Sequence, residues 1–200
     1  MSKKLYLMRH GETLFNVLGR IQGWCDSPLT ERGIAQAKTA RQWLVAHHVT
    51  LTEAHCSTAE RAADTLELVT DLPYTREKGL REHGFGRFEG QPEYLNPKIP
   101  YGDFFVPYGG EADQTTIDRV VATVDRLMAA APDNAQVVMV SHAGASHSFL
   151  SQRAPAGVLT QRMPNCGIAI FDYDNGAYTF EQIVDPVAWA QQREVSHDQI

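Results

Sequence analysis

Residues 4–13 read Lys4-Leu5-Tyr6-Leu7-Met8-Arg9-His10-Gly11-Glu12-Thr13. Lys4 to Met8 is short, apolar and bounded by charge, the pattern of a strand. The stretch behind it, His10 to Asp26, is rich in glycine and polar residues and reads as a loop with a helical turn. The strand thus ends by delivering an arginine and a histidine into a loop. Like charges repel, so an imidazole beside a guanidinium is disfavoured as a cation. The neutral form is the one able to attack an electrophile. The arginine's planar fork can meanwhile hold a phosphate. Gly11 lets the backbone approach closely. Taken alone, the triplet is also what a surface Arg-His pair in a turn looks like.

Outward from this strand the chain alternates. Thr30 is placed as an N-cap, and Ile34, Ala37, Ala40, Trp43 and Leu44 recur at helical spacing, so Glu31 to Ala46 is expected to be a helix. Glu53 to Ser57 reads as a strand, Ala59 to Thr70 as a helix, and Pro73 to Glu82 as a strand and loop. Asp113 to Ala131 is patterned as a helix. Gln136 to Ser141 is an apolar run suited to a buried strand, with a helix starting near Gly144. Gly167 to Tyr173 and Ala177 to Val184 flank Asp174-Asn175-Gly176, a strong hairpin signal. The fold class expected is α/β: three layers, α/β/α, around a mainly parallel central sheet with one antiparallel C-terminal hairpin. Residues 1–200 read as a single domain. The stretch 91–110 carries several Pro, Gly and aromatic residues without a period, and reads as an irregular insertion of the kind that forms lids and specificity loops.

Composition narrows the class. Hydrophobic content of 43% and charged content of 21% fit an ordinary globular protein. No apolar run is long enough to span a bilayer, and the apolar stretch behind Met1-Ser2-Lys3-Lys4 is too short for a signal peptide, so the cytoplasm is the expected compartment and no membrane partner is expected. Cys25, Cys56 and Cys166 lie far apart and read as reduced thiols. A formal net charge of −6 argues against a nucleic-acid partner, yet leaves room for an anionic small molecule held by a local cationic cluster. A homodimer is left open.

In open α/β sheets, ligands sit at the carboxyl ends of the strands. Arg9 and His10 fall there, as do Ser57 to Arg61 and His142. Each has an ordinary alternative: Arg61 as a solvated helix residue, His142 as a satisfied core histidine, Glu82 as a loop ion pair with Arg81. Together they supply what phosphoryl transfer needs, namely fixed cations and donors around the charged equatorial oxygens. Asn16 and Gln22 are neutral donors able to complete the shell, and Glu82 is a candidate general acid for the leaving oxygen. A nucleophile elbow, a Walker loop and a dinucleotide fingerprint are all missing from the sequence, and His47, His48 and His147 lack zinc spacing.

The chain resembles the histidine phosphatase superfamily, the phosphoglycerate mutase-like group. The matching stretches run in order through nearly the whole length: LYLMRHGET (5–13), Asn16, RIQGWCDSPLTERGIAQA (20–37), STAERAADT (57–65), LREHGFGRFEG (80–90), VVMVSHAG (137–144) and PNCGIAIFDYDNGAY (164–178). The resemblance implies that His10 becomes phosphorylated and that Arg9, Arg61 and His142 form the phosphate pocket. It also implies that Glu82 donates the proton and that Asn16, Gln22, Gly23 and Ala143 contact the substrate. It implies neither a metal nor another cofactor.

Two activities share that chemistry. A phosphatase passes the phosphoryl group to water, whereas a mutase returns it to a hydroxyl of the sugar acid. The mutases of the group carry Glu-Arg-His-Tyr-Gly at the acid, where this chain has Glu82-His83-Gly84-Phe85-Gly86. Within 91–110 the only cation is Lys98, and the arginine pair expected of a mutase is missing. The sequence therefore favours hydrolysis of a small-molecule phosphomonoester, with a cofactor-dependent phosphoglycerate mutase as the alternative. Tyr94, Tyr101, Phe104, Phe105 and Tyr108 would either give the pocket mouth an aromatic character or pack within the insertion. A non-catalytic phospho-ligand module is a third class; it would be expected to have lost His10, Arg61, Glu82 or His142, and none is lost.

Overall fold

Alternate residues of the first strand enter two different cores. In this computed structural model, which describes residues 2–158 and 162–197, strand β1 (Lys3–Arg9) is covered on both faces. Leu5 and Leu7 pack with Val120, Val124 and Met128 of helix α4 (Asp113–Ala130) and with Phe149 of α5 (Ala143–Arg153). Tyr6 and Met8 pack on the other side, with Ala37, Ala40 and Trp43 of α2 (Glu31–Ala46) and Ala62 and Leu66 of α3 (Glu60–Val69). This is the period of two expected of a strand, here with both faces buried. Full burial of Leu5, Leu7 and Met8 contributes about 1.5–3 kcal/mol each, so β1 is fixed at the centre of the molecule.

The sheet has six strands in the order β3-β2-β4-β1-β5-β6, with β2 at Glu53–Ser57, β3 at Tyr74–Glu77, β4 at Gln136–Ser141, β5 at Ile168–Asp174 and β6 at Ala177–Val184. β1, β2, β3 and β4 run parallel, while β5 is antiparallel to both β1 and β6. The fold is thus the expected mixed α/β sheet, mostly parallel, with an antiparallel C-terminal pair. Asn175 (φ 49°) and Gly176 (φ 84°) supply the two positive φ angles of that hairpin's turn. Register then sets the site. Arg9 lies opposite Ser141 and Cys56 opposite Val140, so His10, Ser57 and His142 leave three neighbouring strands at one level.

The helices begin where their caps dictate. Gly33 N–H donates to the Thr30 hydroxyl at 3.0 Å, the N-cap read from the sequence. The loop after β1 contains a short helix, α1 (Leu14–Val17), capped by Thr13. One element is not expected from the periodicity: α6 (Pro186–His197), which lays Trp189 against the α2–α3 side of the core. Its signal is local. Asp185 Oδ1 accepts from the N–H groups of Val187 and Ala188, and Pro186 occupies the first turn. The stretch 91–110 is irregular as expected, broken by single 3-10 turns at Glu93–Leu95 and Val106–Tyr108. Among the described residues no helix is long and apolar enough to cross a membrane.

Candidate active site

His10 is buried, at 4% exposure, and held from several directions. Its backbone N–H donates to Ser141 O at 3.0 Å, and its carbonyl accepts from the Asn165 side chain at 3.1 Å. Its ring nitrogen Nδ1 lies 2.7 Å from Gly11 O. A carbonyl can only accept, so Nδ1 carries the proton and Nε2 carries the lone pair. Gly11 itself is sterically required, because a Cβ there would lie 2.6 Å from Gly33 O at the start of α2.

On Nε2 sits Arg61, whose Nε–H donates to it across 3.3 Å. Arg61 is fully buried, far from the solvated helix residue it could have been. Its other four N–H groups donate to Cys25 O and Asp26 Oδ1 at 2.9 Å each, and to Gly23 O and His142 Nδ1 at 2.9 Å each. His142 Nδ1 therefore accepts, and its Nε2–H donates to Ser57 Oγ at 2.7 Å. Two neutral imidazoles of opposite tautomer thus flank one guanidinium, their ring centroids 5.2 Å apart.

Both imidazoles titrate well below their ordinary range. Burial is the main cause for His10, followed by the charge of Arg61 and only then that of Arg9. The arginine next in sequence is therefore a lesser influence than the one that arrives from α3. For His142 the order is burial, Arg61, then His10. Arg9, at 7% exposure, is pushed down to about 10 by burial first and then by the charge of Arg162. Its Nη1 donates to Met163 O at 2.7 Å, while its Nε has no partner among the described residues.

Glu82 comes from a stretch with no regular structure, 81–85. Its carboxyl group docks on the N-terminus of α5: Oε2 accepts from Gly144 N–H and Oε1 from Ala145 N–H, both at 2.8 Å. Negative charge is favoured at a helix N-terminus. A Cβ on Gly144 would lie 2.5 Å from Glu82 Oε1, so the glycine makes the docking possible. Arg81, the alternative partner for Glu82, instead donates to Thr58 Oγ1 and stacks on Trp24.

One pocket is lined by Arg9, His10, Glu82, Asn16, Gln22 and Ala143. Asn16 uses its Oδ1 to accept from Thr13 N–H and Asn165, and Gln22 bonds Thr13 and Ser27. Arg61 and His142 back His10 from behind this wall. Gly23 does not line the pocket: its N–H donates to Glu89 at 3.0 Å and its carbonyl holds Arg61. The pocket also takes in residues the sequence did not single out. Arg162 lies at the rim, paired with Glu93 at 3.0 Å, and Arg20 and Asn96 also line the pocket, as does Tyr101, one of the aromatics expected at its mouth. Arg162 falls between the family-like stretches and belongs to no period, so nothing local marks it. Glu89 stands within LREHGFGRFEG, but nothing in that stretch tells which groups it serves. Its carboxylate accepts from the N–H groups of Gly23, Trp24, Cys25 and Phe85. It thereby shapes the loop whose carbonyls hold Arg61. Of the insertion aromatics, Phe105 is buried against Phe85 and Ile21, with Tyr101 packed on that cluster. Tyr94 is exposed.

The family model described as "Histidine phosphatase superfamily (branch 1)" matches residues 5–186. The chain belongs to the histidine phosphatase superfamily. A probable phosphoglycerate mutase, GpmB, of Yersinia pestis is 32% identical over 189 residues, covering 88% of this chain and 87% of that one. Solved superfamily structures are similar throughout. A phosphoglycerate mutase from Bacillus anthracis superposes with a TM-score of 0.83 at 26% identity, covering 96% of this chain and 97% of that one. A putative alpha-ribazole-5'-P phosphatase from Escherichia coli gives 0.77 at 28% identity, covering 90% and 95%. The superfamily neighbours of this chain thus include both phosphatases and mutases.

Proposed function

We propose that this protein hydrolyses phosphomonoesters through a phosphohistidine on His10. The observation that carries the reading is the state of that imidazole: neutral, its Nδ1–H held by Gly11 O, its Nε2 lone pair aimed at Arg61 beside the pocket. In the proposed reaction the phosphate enters between Arg9, whose Nε is unengaged, and Arg61, whose 3.3 Å bond to His10 is long enough to be exchanged for a phosphate oxygen. His10 Nε2 attacks phosphorus. The bond to the ester oxygen breaks, and Glu82, carrying a proton brought in with the monoanionic ester, gives that proton to the leaving oxygen. In the second half a water attacks the phosphohistidine, Glu82 takes the water's proton, and inorganic phosphate leaves. Charge on the equatorial oxygens is met throughout by fixed donors, which is where most of such catalysis originates.

One observation favours a mutase instead. Arg162 and Arg20 put two cations at the rim, beyond the phosphate shell, where a carboxylate of a glycerate could be held. Against this stand the absence of the mutase arginine and tyrosine after Glu82 and the lack of arginines within 91–110. A screen of phosphorylated metabolites, run beside a glycerate-phosphate mutase assay, separates the two. Phosphate release from at least one metabolite, outpacing isomerisation, is expected. Isomerisation without net release would replace this reading with the mutase. Neither activity, with His10 unphosphorylated, would leave a binding module.

A further inference from the structure

Glu82 sits on a segment that makes no ladder of its own, so its position depends on partners from elsewhere. The carboxyl end is held by α5. The main chain is held mainly by one residue of α4, although Trp24 Nε1–H also donates to Glu82 O, at 3.0 Å. Arg119 Nη2 donates to Glu82 O at 2.6 Å, and Nη1 donates to Arg81 O at 2.6 Å and to Gly79 O at 3.1 Å. The remaining donors grip Glu111, Nε to Oε1 at 2.7 Å and Nη2 to Oε2 at 2.6 Å. Glu111 Oε2 in turn accepts from Gly84 N–H at 2.8 Å, on the far side of Glu82. It also accepts from the Thr116 hydroxyl, which takes a bond from His83 Nδ1 at 2.8 Å. The carbonyls of residues 79, 81 and 82, the N–H of 84 and the ring of 83 are thus tied to one ion pair. That pair is largely shielded, at 20% and 11% side-chain exposure, and neither member lines the His10 pocket.

A guanidinium spending three donors on the carbonyls of one segment, and its other two on the carboxylate that holds the N–H beyond it, is a large commitment for a helix residue. Glu82 and Phe85 are the residues of that segment that line the pocket, and of the two only Glu82 carries a group able to transfer a proton. Resting on the reading of Glu82 as the acid, we propose that Arg119 and Glu111 form a positioning pair that fixes the backbone of Glu82 for proton transfer to the leaving oxygen. Arg119 touches neither substrate nor His10; it acts through Glu82. Proton transfer needs hydrogen-bond reach, and a shift of about 1 Å can lower rate about 100-fold.

The test is the leaving-group dependence of kcat in Arg119→Met and in the milder Glu111→Gln, each alone and combined with Glu82→Gln. Esters of acidic phenols need little help from an acid, whereas alkyl phosphates need much. The pair's loss should lower kcat on an alkyl phosphate about 10- to 100-fold more than on a dinitrophenyl phosphate. Affinity for inorganic phosphate, read as product inhibition, should change less than threefold. In the Glu82→Gln background the same substitutions should widen the leaving-group gap no further. Equal slowing on both esters, or full additivity with Glu82→Gln, would overturn the pair's role while leaving the acid in place. If Glu82→Gln itself leaves the leaving-group dependence unchanged, the acid and the pair's role fall together. Should Arg119→Met not fold, Glu111→Gln carries the same comparison.

Discussion

Replacing Arg61 by lysine keeps the charge and removes the fork. Arg61 brings five N–H donors and meets five acceptors: His10 Nε2, His142 Nδ1, Gly23 O, Cys25 O and Asp26 Oδ1. An ammonium brings three donors on one nitrogen, so at least two of these five acceptors lose their partner. Asp26 is 29% exposed and can be rehydrated, whereas Arg61 has no exposed surface and its neighbours on the histidine side are buried with it. A buried acceptor left without a donor costs about 1–3 kcal/mol, so Arg61→Lys should destabilise by about 2–6 kcal/mol. It should also remove a fixed donor from the phosphoryl group, which typically lowers kcat by about 100- to 1,000-fold. Urea unfolding at pH 7.5 reads the first effect, and steady-state turnover of an aryl phosphate reads the second. A midpoint shift equivalent to less than about 0.5 kcal/mol, with kcat within threefold of wild type, would refute the claim that this fork organises the site.

Three further outcomes follow from the same geometry. Gly144→Ala puts a methyl 2.5 Å from Glu82 Oε1; kcat on an alkyl phosphate should fall at least about tenfold while helix α5, gaining up to about 1 kcal/mol of propensity, keeps the fold stable, and unchanged turnover would mean the carboxyl is not held as described. Glu89→Gln turns one acceptor oxygen toward two backbone N–H groups as a donor; about 2–5 kcal/mol should be lost in urea unfolding, and an unmoved midpoint would count against Glu89 as the brace of the 23–25 loop. His10 and His142 are held neutral in the fold but titrate near 6.5 when unfolded. Their stabilising contribution is thus complete above about pH 6.5 and lost as pH falls below it, at about 1.4 kcal/mol per pH unit for each. From pH 7.5 to 5.5 the unfolding free energy should fall by about 1.4 kcal/mol less in His142→Asn than in the wild type, an average of about 0.7 kcal/mol per pH unit across this window; parallel slopes would contradict it.

The fold was legible because its signals are local and repeated. Leu5 to Met8 and Val137 to Val140 are apolar runs, Thr30 caps a periodic helix, and Asn175-Gly176 dictates a turn. The missed helix α6 shows the limit, since its apolar stripe is short and Asp185-Pro186 is a small signal beside a hairpin. The site was legible for the residues that end strands, where position in sequence and position in space coincide: Arg9, His10, His142. Arg61 was legible in place but not in partners, because its five acceptors come from five residues in three separate segments. The rim was not legible. Arg162 and Glu93 meet across 69 positions of sequence, and no spacing rule links them. The same holds for Arg119, whose side chain reads as one more charge on an amphipathic helix until Gly79, Arg81 and Glu82 are seen beneath it.

The central claim is a covalent intermediate on one nitrogen of one residue. His10 Nδ1 is committed to Gly11 O at 2.7 Å, so Nε2, which carries the lone pair and meets Arg61 across a longer 3.3 Å, is the nitrogen left to bond phosphorus. Rapid alkaline quench during turnover of a labelled aryl phosphate, followed by peptide mapping and phosphorus NMR, reads both the residue and the nitrogen. The account predicts phosphate on the peptide holding His10, linked through Nε2 and absent from His10→Ala. Linkage through Nδ1, phosphate on another residue, or turnover that persists in His10→Ala would contradict it.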